Sequence, residues 1–121
     1  MKGFFDTNIL IDFLNGAVPA REEVEAYDET LISRITWMEV LVGASNENDE
    51  HVIRLFLRRF RVIELTDRIA EHAIELRRTR RLKMPDAIIL ASALSADSRL
   101  ITRNTRDFCR TDPAIRVPYE L

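Results

Sequence analysis

The chain predicts an α/β fold, a sandwich with a central, mostly parallel sheet of four or five strands packed between helices. Three observations carry this reading. Short runs of β-branched and apolar residues alternate with longer segments whose apolar residues recur at helical spacing, the pattern of repeated β/α units. Asp6 and the polar group from Thr102 to Asp107 each follow a strand-like run directly, where open α/β sheets gather their ligands. The 121 residues, 46% of them apolar, suffice for one domain over 1–121 with a buried core.

Taken in order, residues 2–5 read as a buried strand and 7–15 as a helix with Ile9, Leu10, Phe13 and Leu14 on its apolar side, ended by Gly16. An acidic helical piece at 20–27 precedes a second strand at 30–35 and a helix at 36–45. The polar break at 46–48 leads into a helix at 50–59, whose pattern is Val52, Ile53, Phe56, Leu57 and Phe60, and then a third strand at 61–65. Thr66 is a candidate N-cap for a helix running to residue 80, with Ile69, Ala70, Ala73, Ile74 and Leu76 inward. Pro85 suits the first turn of the next helix, which is apolar on almost every face over 87–94 and is therefore expected to be central. A fourth strand at 99–102 and a short fifth at 115–117 complete the series.

Composition excludes several classes. There is no apolar run of 18 residues and no leader pattern, so neither a membrane span nor a signal peptide is expected, and the expected location is cytoplasmic. Cys109 is the single cysteine and reads as an incidental thiol. With His51 and His72, expected on helix surfaces, it supplies no structural zinc set. The glycines at 3, 16 and 43 form neither a P-loop nor a dinucleotide fingerprint. A signalling receiver domain would require an Asp at the end of a central strand and a Lys near the last one. The third strand instead ends Ile63-Glu64-Leu65-Thr66, and the lysines are Lys2 and Lys83. A phosphatase with an aspartate nucleophile would require Asp-x-Asp, where Asp6-Thr7-Asn8 supplies an amide.

The net charge of −2 conceals an asymmetry: residues 1–60 carry 6 basic and 11 acidic side chains, residues 61–121 carry 12 and 9. Sixteen of the 18 cations are Arg, whose planar fork suits phosphate. Arg77, Arg78, Arg80, Arg81 and Lys83 form the densest group. They are a candidate nucleic-acid contact, although cations also favour helix C-termini.

Three acids, Asp6, Glu39 and Asp86, are candidate ligands for Mg²⁺ or Mn²⁺, hard cations that take oxygen donors, and the polar cluster at 102–107 adds Asp107 near the C-terminus. Each also has a simpler reading. Asp6 can cap the helix after it, and Thr36-x-x-Glu39 matches a capping box. Asp86 can complement the helix dipole, and Asp107 can be a surface turn residue.

The set resembles a known family. Asp6-Thr7-Asn8-Ile9-Leu10-Ile11-Asp12, Glu39 followed by Val40-Leu41-Val42-Gly43-Ala44, Met84-Pro85-Asp86-Ala87-Ile88-Ile89-Leu90-Ala91, and Leu100-Ile101-Thr102-Arg103-Asn104-Thr105-Arg106-Asp107-Phe108 look like the four ordered motifs of the PIN-domain ribonucleases. More narrowly, they are similar to those of the VapC-type toxins of type II toxin–antitoxin pairs. The resemblance spans nearly the whole chain. It implies a PIN-like three-layer sandwich and a Mg²⁺- or Mn²⁺-dependent endoribonuclease that hydrolyses cellular RNA. It also implies neutralisation by a VapB-type antitoxin, a homodimer and a toxin–antitoxin hetero-oligomer. Asp6, Glu39 and Asp86 match the metal-binding acids, and Thr7, Asn8 and Thr102 match supporting polar positions. Asn104 and Asp107 fall at the variable fourth position, where the first of the two is an amide, so a fourth carboxylate must be Asp107. A DNA-directed nuclease and a non-catalytic PIN-like domain that binds RNA or protein are the alternatives.

Overall fold

The computed structural model describes Met1–Leu121. Strand β1 (Lys2–Phe5) lies in the middle of the sheet. Phe4 and Phe5 point to opposite faces, and both are fully buried, as a strand covered on both sides requires. There follow α1 (Thr7–Leu14), α2 (Val18–Glu25), β2 (Glu29–Ser33), α3 (Arg34–Val42), α4 (Glu47–Leu57), β3 (Arg61–Ile63), α5 (Asp67–Arg80), α6 (Met84–Ser95), β4 (Leu100–Ile101) and β5 (Ile115–Arg116). The five strands run in the order β3-β2-β1-β4-β5, and every neighbouring pair is parallel.

Alternation along the strands divides the core in two. Phe4, Leu31 and Leu100 pack with Ile69, Ala73 and Leu76 of α5 and with Ile89 and Leu90 of α6. Phe5, Ile32 and Ile101 face the other way and pack with α1 to α4 through Ile9, Leu10, Val24, Val40 and Ile53. Helices thus cover both faces, giving the expected three layers. Gly3 sits where a Cβ would come within 2.8 Å of both the Phe5 ring and the Tyr27 ring, so the edge-to-face packing of those rings at 5.7 Å depends on its missing side chain.

Some boundaries and faces differ from expectation. The second strand stops at Ser33 and the helix begins at Arg34, because Ser33 Oγ accepts a bond from Thr36 N at 3.1 Å and acts as the N-cap three residues earlier than expected. Thr66 does cap α5, accepting from Ile69 N at 3.2 Å. Ile74 and Val52, expected inward, are exposed. The buried stripe of α5 is the narrow Ile69, Ala73, Leu76 series, and α4 turns Ile53, Phe56 and Leu57 to the core. No helix is long and apolar enough to cross a membrane.

From β1 the chain builds outward through β2 and β3, then returns to place β4 and β5 on the other side of β1. The carboxyl ends of β1 and β4 therefore flank the point where strand order reverses, the usual ligand crevice of an open parallel sheet.

Candidate active site

Asp6 leaves β1 at this crevice and carries both of its sequence readings at once. Its Oδ1 accepts from Thr7 N at 2.8 Å as the cap of α1, while Oδ2 accepts from Thr102 Oγ1 at 2.8 Å and Asn8 Nδ2 at 3.2 Å. The backbone closes the same gap, Asp6 N donating to Ile101 O at 2.9 Å. Burial pushes the Asp6 carboxyl above the ordinary aspartate value. The bonds from Thr102 and Thr7 oppose the rise, and the Glu39 charge adds to it.

The capping-box reading of Glu39 is corrected by the structure. With Ser33 as the cap, Glu39 lies six residues into the helix, too far to reach the cap's N–H. Its Oε1 instead accepts from Thr7 Oγ1 at 2.6 Å, and that hydroxyl lies 3.0 Å from Thr36 Oγ1, so the start of α1 holds Glu39 toward the end of β1.

Asp86 stands in the first turn of α6, which has proline at its start and no side-chain cap bond. Its half-buried carboxyl is pushed up to about 6, first by burial, then by the Asp6 and Asp107 charges, by a hydrogen bond shared with Asp107, and by Glu39. Acids from three other segments therefore act on this one carboxyl. Asp107 is positioned by the turn that follows β4: Asn104 N donates to Thr102 Oγ1 at 3.0 Å, Asn104 Nδ2 donates to Asp107 Oδ2 at 3.0 Å, and Asp107 N donates to Asn104 Oδ1 at 3.3 Å. Thr102, fully buried, joins both halves, donating to Asp6 and accepting from Asn8 Nδ2 at 3.1 Å and from Asn104 N.

The donor chemistry fits a hard divalent cation, since the acids offer oxygen alone and the repulsion that adds to burial in raising Asp86 is what a cation relieves. No three acids as placed are close enough to grip one ion directly. Mg²⁺ commonly uses one or two carboxylates and several waters, so a direct grip by three acids is not required.

Sequence reasoning missed a second set of residues. Arg103 is held at both ends from α1. Its backbone N donates to Asn8 Oδ1 at 3.0 Å, and its guanidinium donates to Asp12 through Nε at 2.7 Å and Nη2 at 2.9 Å. Tyr119 OH also donates to Asp12, at 2.8 Å. Asp12 is buried, and an acid four residues after Asn8 on an otherwise apolar helix was the available signal.

The Arg run is dispersed by local partners. Arg77 donates to Leu82 O at 2.9 Å and Arg80 pairs with Asp112 at 2.5 Å. Arg81 ends α5 in the left-handed region at φ 56°, while Arg78 and Arg81 form no ion pair. A cavity of about 1160 Å³ lies away from the acids, between the β3 edge and helices α5 and α6, with Ile63, His72 and Ala96 on its walls.

A parallel five-stranded three-layer sandwich with acids converging on its switch point defines the class. The PIN domain family model matches residues 3–113, and the chain belongs to that family. More particularly, it is similar to a chain of a toxin–antitoxin complex from Klebsiella pneumoniae, with 46% identity, 98% of this chain and 99% of that chain covered, and a TM-score of 0.92. It is also similar to a chain of VapBC-1 from nontypeable Haemophilus influenzae (27% identity, 96% and 97% covered, TM-score 0.77) and to one of the DNA-bound VapBC from Salmonella typhimurium (27%, 96% and 96%, TM-score 0.79). The VapC-type resemblance drawn from the motifs agrees with these relatives. A comparison with curated proteins gives no match.

Proposed function

We propose that the chain is a metal-dependent endoribonuclease toxin that hydrolyses cellular RNA and is held in check by a VapB-type antitoxin. The observation that carries the reading is the convergence of Asp6, Glu39 and Asp107 on the half-buried Asp86 at the sheet's switch point, where burial first and then those acids raise its carboxyl to about 6. The chain's relatives among toxin–antitoxin and VapBC complexes support the toxin role and the partner. A homodimer and a hetero-oligomer with the antitoxin belong to the same reading, as does action in the cytoplasm.

Asp6, Glu39, Asp86 and Asp107 are the residues that would hold Mg²⁺ or Mn²⁺. Once bound, such an ion supplies acidification of water and charge neutralisation at phosphate. The protein's part is orientation. Thr102 and Asn8 hold one Asp6 oxygen while Thr7 N holds the other, the Thr7 hydroxyl aims Glu39, and Asn104 steadies Asp107. No side chain is required as nucleophile: water attacks phosphorus in line, one of the acids accepts its proton, and the opposite P–O bond breaks to a leaving oxygen that takes up a proton. Single-stranded or looped RNA exposes a phosphodiester to such a shallow site.

The test is cleavage of RNA with and without divalent metal. Activity is expected with Mg²⁺ or Mn²⁺ and is lost in EDTA, and Asp6→Asn and Asp86→Asn each remove most of it while remaining folded. Full activity in EDTA would refute the mechanism, and preferential cleavage of DNA would reassign the substrate.

A further inference from the structure

Beside the acids lies an open cavity of about 580 Å³ whose walls are entirely polar. Asn8, Asn104 and Asp107 bring it to the candidate catalytic centre, and its cations are Lys83, Arg103 and Arg106. These three are not equivalent. Arg103 is neutralised by its two-pronged bond to Asp12, whereas Lys83 and Arg106 form no ion pair. Lys83 immediately precedes α6, three residues from Asp86, and Arg106 immediately precedes Asp107, so each free cation is carried on the same short segment as an acid of the site. The Arg77–Arg81 group does not line this cavity, and half of it is already engaged within the chain.

We propose that Lys83 and Arg106 are the backbone-binding residues for a single-stranded RNA substrate, holding phosphates next to the one that is cut. The proposal rests on the ribonuclease reading and names the substrate track within it. An anionic polymer approaching four carboxylates meets repulsion, and free cations at the rim offset it while leaving the acids to the metal and the reacting phosphate. Arg103, fixed by Asp12 and Asn8, lines the same cavity as these two cations. The side chains are flexible and contact backbone, so they bind RNA without reading its sequence.

The experiment measures equilibrium binding of a fluorescently labelled single-stranded oligoribonucleotide over a series of salt concentrations. Ca²⁺ replaces Mg²⁺ to neutralise the acids, and the integrity of the RNA is checked by gel. Steady-state cleavage in Mg²⁺ is run alongside. The proteins are wild type, Lys83→Gln/Arg106→Gln, and Arg78→Gln/Arg81→Gln as the comparison pair. The first pair is expected to weaken binding roughly tenfold at low salt and to reduce the slope of log affinity against log salt by about 1.4, the value for two phosphate contacts on a single strand. In cleavage, KM rises with kcat nearly unchanged, whereas the comparison pair changes neither affinity nor slope appreciably. Unchanged affinity and slope in Lys83→Gln/Arg106→Gln, or an equal loss in the comparison pair, overturns the proposal. So does retained RNA affinity with weakened binding of polyglutamate, which assigns the cations to an acidic protein partner. RNA binding that responds to the two cations in a wild-type protein that does not cut RNA refutes the ribonuclease reading and leaves the track standing.

Discussion

Replacing Asp86 with Asn is expected to stabilise the metal-free protein above pH 6 while removing its cleavage activity. The carboxyl moves from its ordinary 3.8 to about 6 in the folded chain because burial and the Asp6, Asp107 and Glu39 charges disfavour its ionised form. The folded state therefore holds this proton more tightly than the unfolded state. The resulting stability is fully present below about pH 4 and is lost as pH rises through 6. At 1.36 kcal/mol per pH unit the difference amounts to roughly 3 kcal/mol, and since the group is only half-buried, screening by solvent reduces it to about 1–2 kcal/mol. The amide introduced by Asp86→Asn stays neutral throughout. Urea denaturation in EDTA at several values between pH 4 and pH 8 is the assay, read as the variant's stability minus that of the wild type. The difference should grow by about 1–2 kcal/mol across that range and level off above pH 6. Saturating Mg²⁺ should narrow or reverse it, since an ion that binds the wild type more tightly stabilises it by mass action. A difference independent of pH would refute the inference that the four acids act on one another.

Other expectations follow from the same geometry. Asp12→Asn removes one prong from Arg103 and an acceptor from Tyr119. Because Arg103 is partly solvated, the loss of stability should be about 1–3 kcal/mol, and the metal concentration for half-maximal cleavage should rise as the Asn104–Asp107 turn loosens. Lost stability with an unchanged metal titration would limit Asp12 to a structural role. Asp107→Asn should raise that half-maximal concentration more than Asn104→Ala, whose main effect is lower turnover at saturating metal. Wild-type behaviour of Asp107→Asn across the titration would leave a three-carboxylate centre. Gly3→Ala should destabilise by about 1–3 kcal/mol in thermal or urea melts, because its Cβ meets the fully buried Phe5 ring and the Tyr27 ring at 2.8 Å. A melt identical to wild type would show that the rings yield freely.

Properties encoded by neighbouring residues could be read from the sequence alone. The alternation of Phe4 and Phe5, the spacing of Ile53, Phe56 and Leu57, the cap at Thr66 and the proline opening α6 all express local backbone and hydrophobic preferences, and together they led to the α/β sandwich. The ordered motifs likewise singled out Asp6, Glu39, Asp86 and the 102–107 segment before any geometry was known. Choices between equally local alternatives were harder. Ser33 and Thr36 are both competent caps, and only the actual start of α3 removed Glu39 from a capping box and turned it toward Thr7. Ile74 and Val52 satisfied a helical pattern, yet the direction from which α5 and α4 meet their neighbours left them in water.

The partnerships were decided by tertiary structure, because they depend on strand order, which no local pattern encodes. Placing β4 beside β1 brings Thr102 to Asp6 across 96 positions of sequence, Arg103 to Asp12 across 91, and Tyr119 to Asp12 across 107. The same packing gave Arg77 and Arg80 partners of their own and left Lys83 and Arg106 free beside the acids. A row of arginines in sequence is a statement about composition. Whether each guanidinium is available depends on which carboxylates and carbonyls the folded chain brings within its reach.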